Sequence, residues 1–248
     1  MKTKIKEFFN KEIVKNILKG LLIFISLLYF VSLQTFINSG FLTFGLIPIL
    51  VTIVIALIYL IVKRKNITKI NSKELPSIIV NNLTLGIFIN IIFIILLSLI
   101  VNEVSYVYSF GNYAIYKNAP NWMYLVTSIL LLPVLRNILV RRNIKFIKNL
   151  RVKKVLSIVF VLVICFTSPT LINGIYLGLV ALILNNKYIK EENLLKITLE
   201  EILISLSLST MTLYLATYKI PMMIVMILSV LICFVLNLTK FIQKKEEV

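Results

Sequence analysis

The 248-residue chain contains no histidine, no aspartate among its ten acidic residues, and only two cysteines. It therefore cannot form a Ser-His-Asp triad, a His-ligated zinc site or the Asp-based centres of phosphoryl and prenyl transfer. Cys165 and Cys233 both lie in long apolar runs, where a free thiol behaves as a small hydrophobic side chain. We therefore predict no metal site and no cofactor.

Charged residues are also scarce, at 15%, whereas 59% of the residues are hydrophobic and the mean hydropathy is +0.98. A soluble domain carries about 25% charged residues, and a core of this size could not bury so much apolar surface. We therefore predict an all-α, multi-pass helix bundle in the cell membrane. The net charge of +17 falls in short blocks between apolar runs. That pattern predicts loops beside an anionic inner leaflet and argues against nucleic acid as a partner.

Eight apolar runs approach or exceed the length of a spanning helix, about 20 residues. They are 20–37, 42–62, 78–101, 122–140, 153–169, 171–186, 202–218 and 221–239. The stretch 155–186 carries no charge but is interrupted at 167–170 and 173–174 by polar residues, proline and glycine. We interpret it as a tight hairpin of two helices. The alternative is one kinked, tilted helix with a re-entrant end.

The distribution of basic residues favours the hairpin. With both termini inside, every Lys and Arg except Lys117 and Lys219 lies on the inner side, as the positive-inside rule requires. A single helix over 155–186 would move the basic segment 187–196 to the outside. The sequence thus predicts one membrane domain over 1–248, with the bundle at 20–239 and a cytoplasmic tail at 240–248.

The first nineteen residues place apolar side chains at helical spacing with lysines on the other face. This predicts an amphipathic helix on the inner leaflet. The long polar lead and the lack of a small-residue cleavage site argue against a cleaved signal peptide. Abundant Ile, Lys and Asn, with no Asp, favour a low-GC, Gram-positive cell.

Two polar pairs stand out against the apolar spans. Arg136 and Asn137 follow Pro133 near the inner end of the fourth span, and polar groups inside spans are functional candidates by default. Arg136 could instead extend to the headgroups. Glu200 and Glu201 open the seventh span, where the helix dipole alone would favour carboxylates. Adjacent helical residues point about 100° apart, so these two carboxylates cannot serve one site as an acid and base pair.

The run from Pro133 to Arg142 resembles the first motif of the CAAX-protease and bacteriocin-processing family, also called the CPBP or Abi family, of intramembrane metalloproteases. In that pattern a proline, two apolar residues and two glutamates are followed by an arginine. The glutamate pair falls on Arg136 and Asn137, and the arginine is retained as Arg141.

Two later family motifs can be placed at the expected spacing. The phenylalanine and histidine of the second fall on Phe166 and Thr170. The third follows a loop that Asn193-Leu194-Leu195 matches, and its histidine and asparagine fall on Glu201 and Ser205. The resemblance covers about half of the chain.

This resemblance implies a protease scaffold without its chemistry. The family is thought to hold a metal or an activated water between glutamates and histidines. An arginine cannot act as the base and repels a cation, and threonine is a poor ligand. We expect no catalytic residue, and we predict that Arg136 and Glu201 face each other as a buried or half-buried ion pair.

The resemblance implies bacteriocin self-immunity, or regulation of membrane peptide and protein processing by binding without cleavage. Its partner would be a membrane-inserted peptide or protein. An alternative function is the permease subunit of an ABC-type peptide exporter, with the N-terminal helix and basic loops contacting an ATP-binding subunit. Such permeases usually have six spans, and the spans here lack a run of polar pore residues.

Overall fold

Helices account for all regular structure in the described part of the chain, where no strand occurs. The computed structural model describes residues 70–98, 125–145, 147, 149–168, 171–218 and 222–246, with isolated positions at Ile25, Leu50, Ile53, Val54 and Leu57. The all-α prediction is confirmed for these residues. The predicted interfacial helix at 1–19 and most of the first two predicted spans lie outside them, as does Thr170.

The helices follow the apolar runs of the sequence. They are α1 (Leu75–Ser98), α2 (126–144), α3 (Leu150–Thr167), α4 (Leu171–Glu191), α5 (Leu194–Tyr218) and α6 (Met222–Glu246). Helix α6 continues to Glu246 and so includes most of the predicted tail, 240–248.

The division of 155–186 into two helices is confirmed. Lys153 Nζ, at the start of α3, lies 2.8 Å from Glu192 Oε1, just after the end of α4. Near the other end, a Cβ added to Gly174 of α4 would overlap the carbonyl oxygen of Cys165 of α3. The two helices are therefore antiparallel and closely packed, and 187–196 lies at the same end as the start of α3. The single-helix alternative is wrong.

Helix α5 begins earlier than the hydropathy pattern predicts. Asn193 caps it: its Oδ1 accepts a hydrogen bond from the backbone N–H of Lys196 at 3.1 Å. The helix therefore starts at Leu194 rather than at 202. The sequence predicted Glu200 and Glu201 at the start of a helix. They lie instead in the second turn of α5, where both are buried.

Helix α2 is wound unevenly. Its turns over Val126–Leu131 and Asn137–Arg141 are π-helical, and those over Leu132–Arg136 and Arg142–Ile144 are α-helical. Such wide turns are rare and frequently occur at functional sites. Here they accompany the burial of Arg136, Asn137 and Arg141 along one helix.

One apolar core joins the first five helices. Its buried members include Phe93, Ile94, Val140, Ile144, Phe160, Ile164, Tyr176, Val180, Leu184, Tyr188, Ile197, Ile204 and Leu208. The rings of Phe93 on α1 and Tyr176 on α4 meet edge to face, with centroids 5.4 Å apart. Helix α6 packs against α1 and α5 and exposes most of its apolar side chains.

Within the described residues, one segment, Leu75–Ile95, is long and apolar enough to cross a bilayer by length and composition. Less than half of its most apolar window, 44%, is buried inside the protein. A core helix of a soluble protein can meet the same test of length and composition.

Candidate functional site

A cluster of buried polar side chains lies where α2, α4 and α5 meet. At its centre is the carboxylate of Glu201, whose side chain is 1% exposed. Oε1 of Glu201 lies 3.0 Å from Nε of Arg136. Oε2 accepts a hydrogen bond from Nδ2 of Asn137 at 2.7 Å and pairs with Nη1 of Arg141. The predicted ion pair between Arg136 and Glu201 is thus present, and it is buried.

Arg141 has more polar contacts than the sequence predicted. Its side chain is 0% exposed, and Nη1 donates to Oδ1 of Asn137 at 2.9 Å as well as to Glu201. Its Nε donates to Oδ1 of Asn185 on α4 at 2.7 Å. The guanidinium carbon also lies 5.9 Å from the ring centroid of Phe160 on α3. Arg141 therefore contacts side chains of four helices, counting its own.

Asn137 and Asn185 complete this ion-pair centre, which we define as Arg136, Asn137, Arg141, Asn185 and Glu201. Asn137 also donates from Nδ2 to the carbonyl oxygen of Pro133 at 2.7 Å, one turn earlier on α2. Asn185 donates from Nδ2 to the carbonyl oxygen of Ser157 at 3.4 Å. The two amides orient the side chain of Arg141, and Asn137 also orients the carboxylate of Glu201, because each amide is bonded to a backbone carbonyl as well as to a charged group.

Glu200, the residue before Glu201, pairs with a different cation. Glu200 is fully buried, and its Oε1 lies 2.5 Å from Nζ of Lys187, a partly exposed residue of α4. Glu200 and Glu201 therefore point to different cations, in agreement with their spacing on a helix. Within the described ranges, no group of three or more acidic or cysteine side chains gathers in a way that could hold a metal ion.

Two other residues of the predicted set lie outside the ion-pair centre. Phe166 is 81% exposed near the end of α3, so the structure does not bring it to Glu201. Ser205 is buried one turn after Glu201 on the same helix. Asn185, Ser157, Phe160 and Lys187 were missed by the sequence analysis. Asn185 could have been found, since it is a polar residue in a predicted span.

The chemistry available to this centre is electrostatic. Guanidinium groups stay protonated and have no lone pair to offer, so neither arginine can act as a general base. The one carboxylate at the centre already accepts contacts from three side chains. Groups held in this way suit binding and structural specificity better than proton transfer.

Comparison with known proteins gives no relative. The chain matches no protein-family model, no curated protein and no solved structure at a significant level. The resemblance to intramembrane proteases therefore depends only on the motif spacing in the sequence.

Proposed function

We propose that this protein is a multi-pass membrane protein with eight spans and both termini inside, built on a scaffold like that of the CPBP intramembrane proteases but without their activity. It binds a membrane-inserted peptide or protein without cleaving it. Its role is bacteriocin self-immunity or regulation of membrane peptide processing, in the cell membrane of a Gram-positive bacterium.

The observation that carries this proposal is the buried contact of Arg136 and Arg141 with Glu201. The motif spacing places Arg136 and Glu201 at positions where the protease family has a glutamate and a histidine. Both are charged, far apart in sequence and buried side by side on α2 and α5. An arginine at a family glutamate position and a glutamate at a family histidine position are reciprocal changes of charge. They support the idea that the ion-pair centre replaced the catalytic centre of the protease family as a unit.

Two features support the membrane topology. Segments assigned to the inner side meet at one end of the helices: Lys196 lies 3.3 Å from Glu74 and 3.0 Å from Glu191, and Lys153 lies 2.8 Å from Glu192. In addition, α3 and α6 expose large apolar side chains along their length. Outward-facing apolar helices with charges at one end suit a lipid environment.

The topology can be tested with reporter fusions. A periplasmic-type phosphatase and a cytoplasmic reporter would each be fused after residue 111, after 148 and after 193. We expect the phosphatase to be active only in the fusion after 111. The cytoplasmic reporter should be active only in the fusions after 148 and 193. Opposite locations for 148 and 193 would refute the proposed arrangement.

The role can be tested in a deletion strain challenged with cationic bacteriocins. We expect increased sensitivity, restored by the wild-type gene and not by Arg136→Ala. Unchanged sensitivity would eliminate the immunity role, and equal rescue would show that the ion-pair centre is dispensable for it. Peptide cleavage by the purified protein that a chelator abolishes would refute the absence of protease activity. A co-purifying ATP-binding subunit would instead favour the exporter permease.

A further inference from the structure

Among the described side chains, the ion-pair centre carries more positive than negative charge. Arg136 and Arg141 share the single carboxylate of Glu201. The other nearby carboxylate, Glu200, is paired with Lys187. Arginine does not lose its proton in proteins. Among the described side chains, the centre therefore holds two cations and one anion in a region with almost no solvent exposure.

The centre also has fewer hydrogen-bond acceptors than donors among the described residues. Nη2 of Arg141 is buried and has no hydrogen-bond partner among the described residues. Nε of Arg136 lies 3.0 Å from Oε1 of Glu201 but is not hydrogen-bonded to it or to any other described residue. A buried donor without an acceptor is costly, and more so when it is charged. Both arginines thus retain unused donors.

We propose that the ion-pair centre binds one further carboxylate, held by the guanidinium groups of Arg136 and Arg141. One monovalent anion balances the excess charge, whereas a dianion would reverse it. The planar guanidinium presents donors that match the two oxygens of a carboxylate. The inference deepens the proposed function and rests on it for the source of the anion, a carboxylate group of the membrane-inserted peptide. Free acetate is the simplest probe of the site.

The test is thermal unfolding of the full-length protein in detergent, with sodium acetate compared with sodium chloride and sodium phosphate at equal ionic strength and constant pH. We expect acetate to raise the melting temperature by about 2–4 °C relative to chloride. The absence of any such difference would overturn the site. Equal shifts with phosphate and acetate would overturn the assignment to a carboxylate.

Two variants of the centre and one matched control locate the effect. Arg136→Gln removes the excess charge, so we expect its melting temperature to be independent of acetate. Asn185→Asp keeps the acceptor for Arg141 Nε and supplies the missing negative charge, so it should also lose the acetate effect, even if Arg136→Gln fails to fold. Arg151→Gln, at an exposed position of α3, should retain the full shift. A full acetate shift in Asn185→Asp would overturn the proposal.

This test is independent of the immunity assay. A deletion strain with unchanged bacteriocin sensitivity would remove the proposed role and leave the acetate effect to be explained by the carboxylate site. Protection by wild type without any acetate effect would remove the carboxylate site and leave the role.

Discussion

Oε1 of Glu201 on α5 lies 3.0 Å from Nε of Arg136 on α2, and both side chains are buried. The same carboxylate also contacts Arg141, so two guanidinium groups from successive turns of α2 share one acidic residue. Buried ion pairs add little net stability, but removing one partner leaves an uncompensated charge. Loss of either partner of this contact should therefore destabilise the fold, even though the intact pair adds little net stability.

Replacement of Glu201 is expected to be the most damaging single change at the centre. Glu201→Gln leaves Arg136 and Arg141 without a counter-charge and should lower the free energy of unfolding by roughly 3–5 kcal/mol. The measurement is denaturant unfolding of the purified protein in detergent. Glu74→Gln is the matched control, because Glu74 forms an exposed ion pair worth about 0–1 kcal/mol. Similar losses for the two variants would contradict this account of the centre.

The close packing of α3 on α4 predicts different outcomes at two glycines. An added Cβ at Gly174 would overlap the backbone of Cys165, and at Gly178 it would overlap the Cys165 side chain. Overpacking costs about 1–3 kcal/mol. We expect Gly174→Ala and Gly178→Ala both to lower the melting temperature. Adding Cys165→Ala should restore stability to Gly178→Ala but not to Gly174→Ala, because it removes the sulfur and leaves the carbonyl oxygen in place. Rescue of Gly174→Ala would show that the backbone contact is not limiting.

The connection between α4 and α5 should make stability depend on pH. A hydrogen bond from Lys153 lowers the pKa of Glu192 below its ordinary value of 4.5, against the effect of partial burial, and the charges of Lys153 and Lys145 lower it further. The stabilisation is therefore present above pH 4.5 and is lost as the pH falls through the lower, folded-state pKa. Melting temperatures measured from pH 7 to pH 3 should fall less steeply for Glu192→Gln. Identical profiles would rule out this contribution.

Glu192 also adopts a backbone φ of 50°, a left-handed conformation that favours glycine. The Gln variant keeps this backbone and so isolates the charge. Glu192→Gly provides the complementary comparison, because it relieves the backbone conformation while removing the contact with Lys153.

The cap of α5 accounts for Asn193 without any ligand. Its side chain accepts from the N–H of Lys196, so Asn193→Ala should cost about 1 kcal/mol, whereas Asn193→Asp should be close to wild type. Asn186→Ala, an exposed helical position on α4, is the matched control and should change stability by less than about 0.5 kcal/mol. A loss of protection without a loss of stability in Asn193→Ala would instead assign a functional role to this residue.

Within the described residues, sequence patterns predicted the helices and the hairpin, because apolar runs and the residues that interrupt them are local features. The contact of Arg136 with Glu201 was predicted from motif spacing, which places two distant positions together. The start of α5 was missed since hydropathy reports the apolar length of a helix and not its cap at Asn193. Asn185 could have been noticed as a polar residue in a predicted span, but its contact with Arg141 depends on how α4 faces α2, which no local pattern specifies.

The π-helical winding of Asn137–Arg141 has a consequence for movement. Each α-helical residue turns by about 100°, so rewinding this segment as a regular α-helix would rotate Arg141 relative to Arg136. Arg136 lies in an α-helical turn and Arg141 in a π-helical turn, so a change of winding would move the second guanidinium group relative to the carboxylate that both share. A local change in helix pitch would therefore change the distance between Arg141 and Glu201.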